Sequence, residues 1–129
     1  MDAYKTHGAF SWSELMTSDP AKAAEFYGTL FGWKVEAMPM PQGTYHVVKL
    51  GGDTSVGGIM KIPADAPAAM PPNWCPYVTV TDVDKTAEQC SSLGGKVLMP
   101  PTDIPTVGRF ACIQDPQGAV LNIITYSQG

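Results

Sequence analysis

Hydrophobic and polar positions along the chain fall into two stretches with one shared pattern, Trp12 to Val35 and Cys75 to Val97. Each opens with alternating apolar and polar positions, the two-residue period of a strand. Each then reads Ser or Thr followed by Asp, at Ser18-Asp19 and at Thr81-Asp82. A stretch of helical spacing follows and ends in a glycine turn, at Gly32 or at Gly94-Gly95, after which Lys-Val opens the next strand. The spacing from Trp12 to Asp19 equals that from Cys75 to Asp82. Internal similarity of this kind predicts two copies of one supersecondary unit.

The helices have local causes. Asp19 and Asp82 are N-caps, because a short acidic side chain accepts the free amide hydrogens of a first turn. Pro20 suits a first helical position, where no amide donor is needed. The predicted inner face of the first helix carries Ala23, Phe26, Tyr27 and Leu30, and that of the second carries Val83, Ala87, Cys90 and Leu93. Gly32 and Gly94 can take the left-handed conformation that ends a helix. Strands are predicted at Lys34–Met38, Thr44–Leu50 and Gly57–Ile62, and again at Val97–Met99, Arg109–Gln114 and Ala119–Tyr126. Asp115-Pro-Gln-Gly118 is a tight-turn sequence between the last two. The result is one domain over residues 1–129, with module one at 8–62, a proline- and alanine-rich linker at 63–73 and module two at 74–127.

Composition narrows the function classes. Apolar residues make up 44% of the 129 positions and charged residues 16%, a globular balance. Net charge is -4 with no basic run, which argues against a nucleic-acid face. No apolar stretch approaches the roughly 20 residues that span a bilayer. Met1 to Ser11 lacks the basic start and apolar block of a secretory signal, so the expected location is cytoplasmic. The 3 cysteines, Cys75, Cys90 and Cys112, are widely spaced and make a poor disulfide framework. With only His7 and His46 beside them, a structural zinc site is not expected. There is no phosphate loop of the G-x-x-x-x-G-K type and no G-x-G-x-x-G. Two histidines without geometry support no Ser-His-Asp arrangement.

Several fragments, in this order and spacing, resemble one family. They are Trp12-Ser-Glu-Leu, Asp19 with Phe26-Tyr27 and Phe31-Gly32-Trp33, the helix start at Asp82-Val-Asp84, Gly94-Gly95-Lys96-Val97, and Asp115-Pro-Gln-Gly118. Together they resemble the glyoxalase/bleomycin-resistance/extradiol-dioxygenase group, the vicinal oxygen chelate superfamily. The resemblance implies an α+β fold of two β-α-β-β-β modules forming a cupped, eight-stranded mixed sheet around a cavity. It also implies metal ligands, in the metal enzymes of the group, on the first and last strand of each module. Carried over, those positions fall at Trp12, Cys75 and Asn122, with the fourth near Gly58. The metal enzymes use His, Gln or Glu there. A divalent cation needs several anionic or imidazole donors to offset its lost hydration. The expectation is therefore no metal and no other cofactor. Family members often dimerise, so a homodimer is the expected assembly.

Strand alternation then sorts cavity from core. Val78 and Val80 read as core, leaving Cys75, Tyr77 and Thr79 toward the cavity. By equal spacing Trp12, Glu14 and Met16 line the matching face of module one, with Leu15 toward the helix. Glu14, as an acidic residue in a partly apolar cup, is a candidate general base or a strand-organising hydrogen-bond partner. His46 is a candidate acid/base or a structural histidine. Its face is open, because Tyr45-Val47-Lys49 and His46-Val48-Leu50 both contain apolar residues. Cys75 has no basic neighbour in sequence to lower its pKa and reads as buried and inert. Trp12 and Tyr77 are candidates to stack on a flat ligand. Trp33, after the helix stop, reads as closing the core. Arg109 could pair with a ligand carboxylate or be an exposed strand-start arginine.

The leading expectation is a metal-independent binder of a small, partly aromatic or apolar molecule. Trp12, Met16, Cys75 and Tyr77 would form walls, and Glu14, Thr79 and Asn122 would orient the ligand. The alternatives are a lyase or isomerase acting on a carbonyl compound through Glu14 or His46, and a dimeric interaction module whose cup is filled by its own side chains. No nucleic-acid or membrane partner is expected.

Overall fold

In the computed structural model, residues 1–40, 43–52, 54–62, 71–104 and 107–127 are described. They form β1 (Phe10–Thr17), α1 (Pro20–Phe31), β2 (Lys34–Met40), β3 (Gly43–Lys49), β4 (Ser55–Lys61), β5 (Asn73–Thr79), α2 (Val83–Ser92), β6 (Lys96–Ile104), β7 (Gly108–Gln114) and β8 (Val120–Tyr126). The β-α-β-β-β order thus occurs twice, as the repeat predicts. Most of the predicted linker, residues 63–70, lies outside the described residues. Asn73, placed in the linker by the sequence, begins β5 instead.

The chain divides into two compact units, Ser13–Cys75, and Met1–Trp12 together with Pro76–Gly129. This differs from the sequence reading, which joined residues 8–12 to module one. The cause lies in backbone pairing. Gly8 donates to the Thr79 carbonyl at 2.7 Å, and Thr79 donates to Ala9 at 2.8 Å.

In the Ser13–Cys75 unit the strand order is β2-β3-β4-β1. β1 and β4 run parallel, β4–β3 and β3–β2 are antiparallel, and α1 leads from β1 to β2. Asp19 caps α1 by accepting from the Lys22 amide at 3.1 Å. Pro20 opens the helix, and Gly32 closes it with φ of 74°, a conformation that disfavours any side chain. The core is Leu15, Val48 and Ile59, 4%, 1% and 0% exposed. Burying each such aliphatic side chain contributes roughly 1.5–3 kcal/mol.

Against this core α1 presents Ala23, Ala24 and Tyr27. Phe26 and Leu30, expected on the inner face, are 60% and 58% exposed. The small alanines form the contact stripe, and the bulky residues flank it. Tyr27 instead gathers an aromatic cluster. Its ring lies 5.0 Å from Phe26, 5.8 Å from Trp33 and 5.4 Å from Trp74, and its hydroxyl accepts from the Trp74 indole at 3.2 Å. Trp33 also packs on the core, as the sequence suggests.

In the other unit the order is β5-β8-β7-β6, with β5–β8 parallel and the rest antiparallel. Val80, Val83, Ala111 and Ile123 form its core, with Val78 and Ile113 packed against them. Asp82 caps α2 through the Lys85 amide at 3.1 Å. Val83 and Ala87 are buried, but Leu93, expected on the same face, is 70% exposed. α2 stops at Ser92, so Leu93 caps the helix instead of packing under it. The Asp115–Gly118 turn closes as predicted, with Gly118 donating to the Asp115 carbonyl at 3.0 Å. The Asp115 carboxylate accepts from the Gln117 and Ala119 amides at 2.9 and 3.0 Å.

Candidate functional site

Register decides which side chains share a face. Across β1 and β4, Glu14 pairs with Gly58, Leu15 with Ile59 and Met16 with Met60. Across β4 and β3, Gly58 pairs with Val47 and Ile59 with His46. Residues in register lie on one side of a sheet, and neighbours along a strand alternate. One face therefore carries Leu15, Ile59, Val48 and His46, the side on which α1 packs. The opposite face carries Glu14, Met16, Gly58, Met60, Tyr45 and Val47.

This settles what the sequence left open about His46. Its place is with the α1-side residues, so the two candidate proton carriers, Glu14 and His46, lie on opposite faces. Glu14 and Met16 do share a face, as alternation predicts.

Glu14 is 5% exposed. Its Oε2 accepts the Tyr45 hydroxyl proton at 2.9 Å. The contact crosses a whole strand, from β3 over β4 to β1. It is possible because Gly58, between them, has no side chain. A Cβ built on Gly58 would lie 1.8 Å from Tyr45 Oη and 2.1 Å from Tyr45 Cζ. The phenol ring occupies the space that any larger residue at position 58 would claim. Tyr45 was not singled out by the sequence reading. The signal was available only in combination: a tyrosine on β3 two positions from the register partner of a strand glycine.

In the second unit the parallel register pairs Tyr77 with Asn122 and Thr79 with Ile124. Asn122 also pairs with Cys112 and Ile124 with Phe110. Tyr77, Thr79, Asn122, Cys112 and Phe110 thus share a face, opposite Val78 and Ile123. Tyr77, Thr79 and Asn122 are each 4% exposed. The Tyr77 and Phe110 rings lie 6.4 Å apart. Phe110 and Cys112 are additions to the expected set. The Thr79 hydroxyl is engaged internally, donating to the Ala3 carbonyl at 2.7 Å.

The register also fixes the overlay of the modules. Glu14 opposite Gly58 and Tyr77 opposite Asn122 are equivalent pairings, which puts the fourth inferred ligand position at Gly58 itself. Cys75 is 8% exposed, and Trp12 is half-buried. Arg109 is engaged by acidic side chains on the α2 side. It donates to both Asp84 oxygens at 2.9 and 3.0 Å and to Asp103 at 3.0 Å. Those hydrogen bonds hold the Asp84 carboxyl below the usual carboxylate range. Among the described residues, no three His, Cys, Asp or Glu side chains are grouped to hold a metal ion.

The family model for the glyoxalase/bleomycin resistance protein/dioxygenase superfamily matches residues 9–123. This chain belongs to that superfamily. Its fold is the superfamily's α+β fold of two β-α-β-β-β modules and eight strands. CFP32 of Mycobacterium tuberculosis, whose name carries a provisional glyoxylase assignment, is 38% identical over 91% of this chain and 44% of its own length. The anthracycline biosynthesis protein DnrV of Streptomyces peucetius is 28% identical over 90% of this chain and 46% of its own. The chain therefore spans under half the length of these relatives. A Streptomyces coelicolor methylmalonyl-CoA epimerase, solved with 2-nitronate-propionyl-CoA, shares the fold with a TM-score of 0.70. It is 15% identical and is covered over 96% of its length by 95% of this chain. Among the described residues no helix is long and apolar enough to cross a membrane.

Proposed function

We propose that this superfamily member binds a small organic molecule against the sheet face carrying Glu14, without a metal ion. The observation that carries the reading is the buried Glu14 carboxylate held by the Tyr45 hydroxyl at 2.9 Å, on a face it shares with Met16, Met60 and Val47 and with the Glu36–Lys49 ion pair of β2 and β3. A few fixed polar groups in an apolar surround are the usual composition of a small-molecule site. Methionine supplies walls that adapt to unlike ligands. A relative named for anthracycline biosynthesis and a fold relative solved with a CoA derivative support an organic ligand.

Metal independence rests on donor chemistry. The four positions hold an indole at Trp12, a hydrogen at Gly58, a thiol at Cys75 and a carboxamide at Asn122. This set does not fit a divalent cation, which takes imidazole, carboxylate or several thiolate ligands. Any donor placed at position 58 would collide with Tyr45. The test is native mass spectrometry of freshly purified protein. A retained organic mass without metal is the expected result, and one metal per chain overturns the reading. The same spectrum reports the homodimer that the family resemblance suggests.

A second reading is a lyase or isomerase on a carbonyl compound with Glu14 moving the proton, favoured by the glyoxylase and epimerase names among the relatives. His46 is not part of it, because it lies on the other face from Glu14. Turnover of a carbonyl substrate that Glu14→Gln abolishes, with binding retained, would favour this reading over simple binding.

A further inference from the structure

The residues ahead of β1 do more than lead into it. Tyr4, Lys5 and His7 line a cavity of about 540 Å³ together with Thr81, Thr125 and Tyr126, near the C-terminal ends of β5 and β8. All of these residues belong to one compact unit, and none lies on the face that carries Glu14. The N-terminal wall is fixed on both sides of the hollow. Before it, the Ala3 carbonyl accepts from the Thr79 hydroxyl at 2.7 Å. After it, Gly8 donates to the Thr79 carbonyl at 2.7 Å and the Ala9 carbonyl accepts from the Thr79 amide at 2.8 Å. A wall held in this way costs a ligand little ordering. We infer that this hollow is a second binding site and that it takes a small aromatic carboxylate.

The polar groups of the lining set the ligand class. Lys5 contributes an ammonium that makes no ion pair and no hydrogen bond among the described residues. No described Asp or Glu lines the cavity. The acidic residues nearest in sequence are turned to backbone amides: Asp2 accepts from Tyr4 at 3.0 Å, and Asp82 accepts from Lys85 at 3.1 Å. His7 has a fixed tautomer in its neutral form. Its Nδ1 accepts from the Thr81 amide at 2.9 Å, and a backbone N–H can only donate. The ring proton therefore sits on Nε2, which makes that nitrogen a donor. The Thr79 and Thr125 hydroxyls add no donor, because they give their protons to the Ala3 and Val80 carbonyls. An ammonium and a ring N–H are both answered by a carboxylate, which only accepts, and neither is answered by an amine. Tyr4 and Tyr126 suit a flat body, with rings set edge to face and centroids 4.9 Å apart. The volume falls within the roughly 300–1,000 Å³ of small-molecule sites. The inference is independent of the Glu14 reading, since the two sites share no residue.

Three probes with one ring and different heads test it on the full chain: benzoate, benzamide and benzylamine. Each is titrated into nitrogen-15-labelled protein, and backbone amide shifts report both place and affinity. Benzoate is expected to move the Lys5, His7, Thr81 and Tyr126 amides saturably. It is expected to bind about fivefold more tightly than benzamide, the worth of an ion pair partly open to solvent. Benzylamine is expected to leave those amides in place. Lys5→Gln, at an exposed position, should bring benzoate to the level of benzamide and leave benzamide unchanged. Tyr4→Ala should weaken both alike. Long-range nitrogen–proton couplings should place the His7 proton on Nε2. Benzoate moving none of these amides overturns the site. Benzamide or benzylamine binding there as tightly as benzoate overturns the ligand class. Benzoate affinity unchanged in Lys5→Gln overturns the role of Lys5, and a His7 proton on Nδ1 overturns that of His7.

Discussion

The Thr79 hydroxyl, buried in β5, donates to the carbonyl of Ala3 at 2.7 Å. Together with the backbone bonds from Gly8 and to Ala9, this makes the first residues of the chain part of the second unit. Thr79→Val preserves shape and removes the donor. An unmade buried hydrogen bond costs about 1 kcal/mol. Amide exchange at Gly8 should accelerate in this variant, and Tm should fall by a few degrees. Unchanged exchange at Gly8 would show that the hydroxyl does not hold the segment.

Gly57 faces a different constraint from Gly58. A Cβ there would lie 2.5 Å from the Ser13 carbonyl oxygen, which is backbone and cannot swing aside. Gly57→Ala must push β1 from β4 or distort the ladder, and overpacking of this kind costs about 1–3 kcal/mol. Chemical denaturation should show a lowered midpoint. Gly32→Ala, with open space around its Cβ, is strained only by its positive φ and should lose about 1 kcal/mol.

Alkali should unfold the second unit earlier than ordinary tyrosines would. Burial, and secondarily the neighbouring Tyr4 phenol, push the Tyr126 hydroxyl up to about 12, against the lowering effect of its Ser11 hydrogen bond. A raised folded value means the folded state holds the proton more tightly. The contribution is complete below about pH 10 and is lost as pH rises toward 12. Tyr126 remains partly exposed, so after discounting for solvent screening the effect is on the order of 1 kcal/mol. Phenolate absorbance should show a late-titrating component, to which Tyr4, also raised by burial, contributes, and Tyr126→Phe should reduce it.

Acid should act through Asp84. Its carboxyl is lowered first by the hydrogen bonds from Arg109. A lowered folded value stabilises the protein above the usual carboxylate pKa, and the gain disappears as pH falls below about 4. The pair is at the surface, so the effect is small and screened by salt. Asp84→Asn should narrow the difference in Tm between pH 6 and pH 3, most clearly at low ionic strength.

What the sequence revealed was local chemistry. Asp19, Asp82, Pro20, Gly32 and the Asp115–Gly118 turn act through neighbours a few residues away, so their roles could be read directly. The duplication was equally plain, because Trp12 and Cys75 keep the same distance to their caps. The shared face of Glu14 and Met16, opposite Leu15, followed from alternation. The face of His46 could not be read, since either half of β3 is apolar enough to bury. Only pairing with Ile59 decides it, and pairing is non-local. Tyr45 was missed for the same reason. Its reach to Glu14 depends on a glycine in another strand. Phe26 and Leu30 have perfect helical spacing for burial, but the alanines beside them set the line of contact.

The equivalent pairings of Glu14 with Gly58 and Tyr77 with Asn122 carry one more consequence. A single folding instruction, written twice, guarantees matching backbones while leaving the furnishings free to diverge. One half has become acidic and notched, the other aromatic and amide-bearing. Of these four seats, position 58 is the one held to glycine, because a Cβ there would strike the Tyr45 ring.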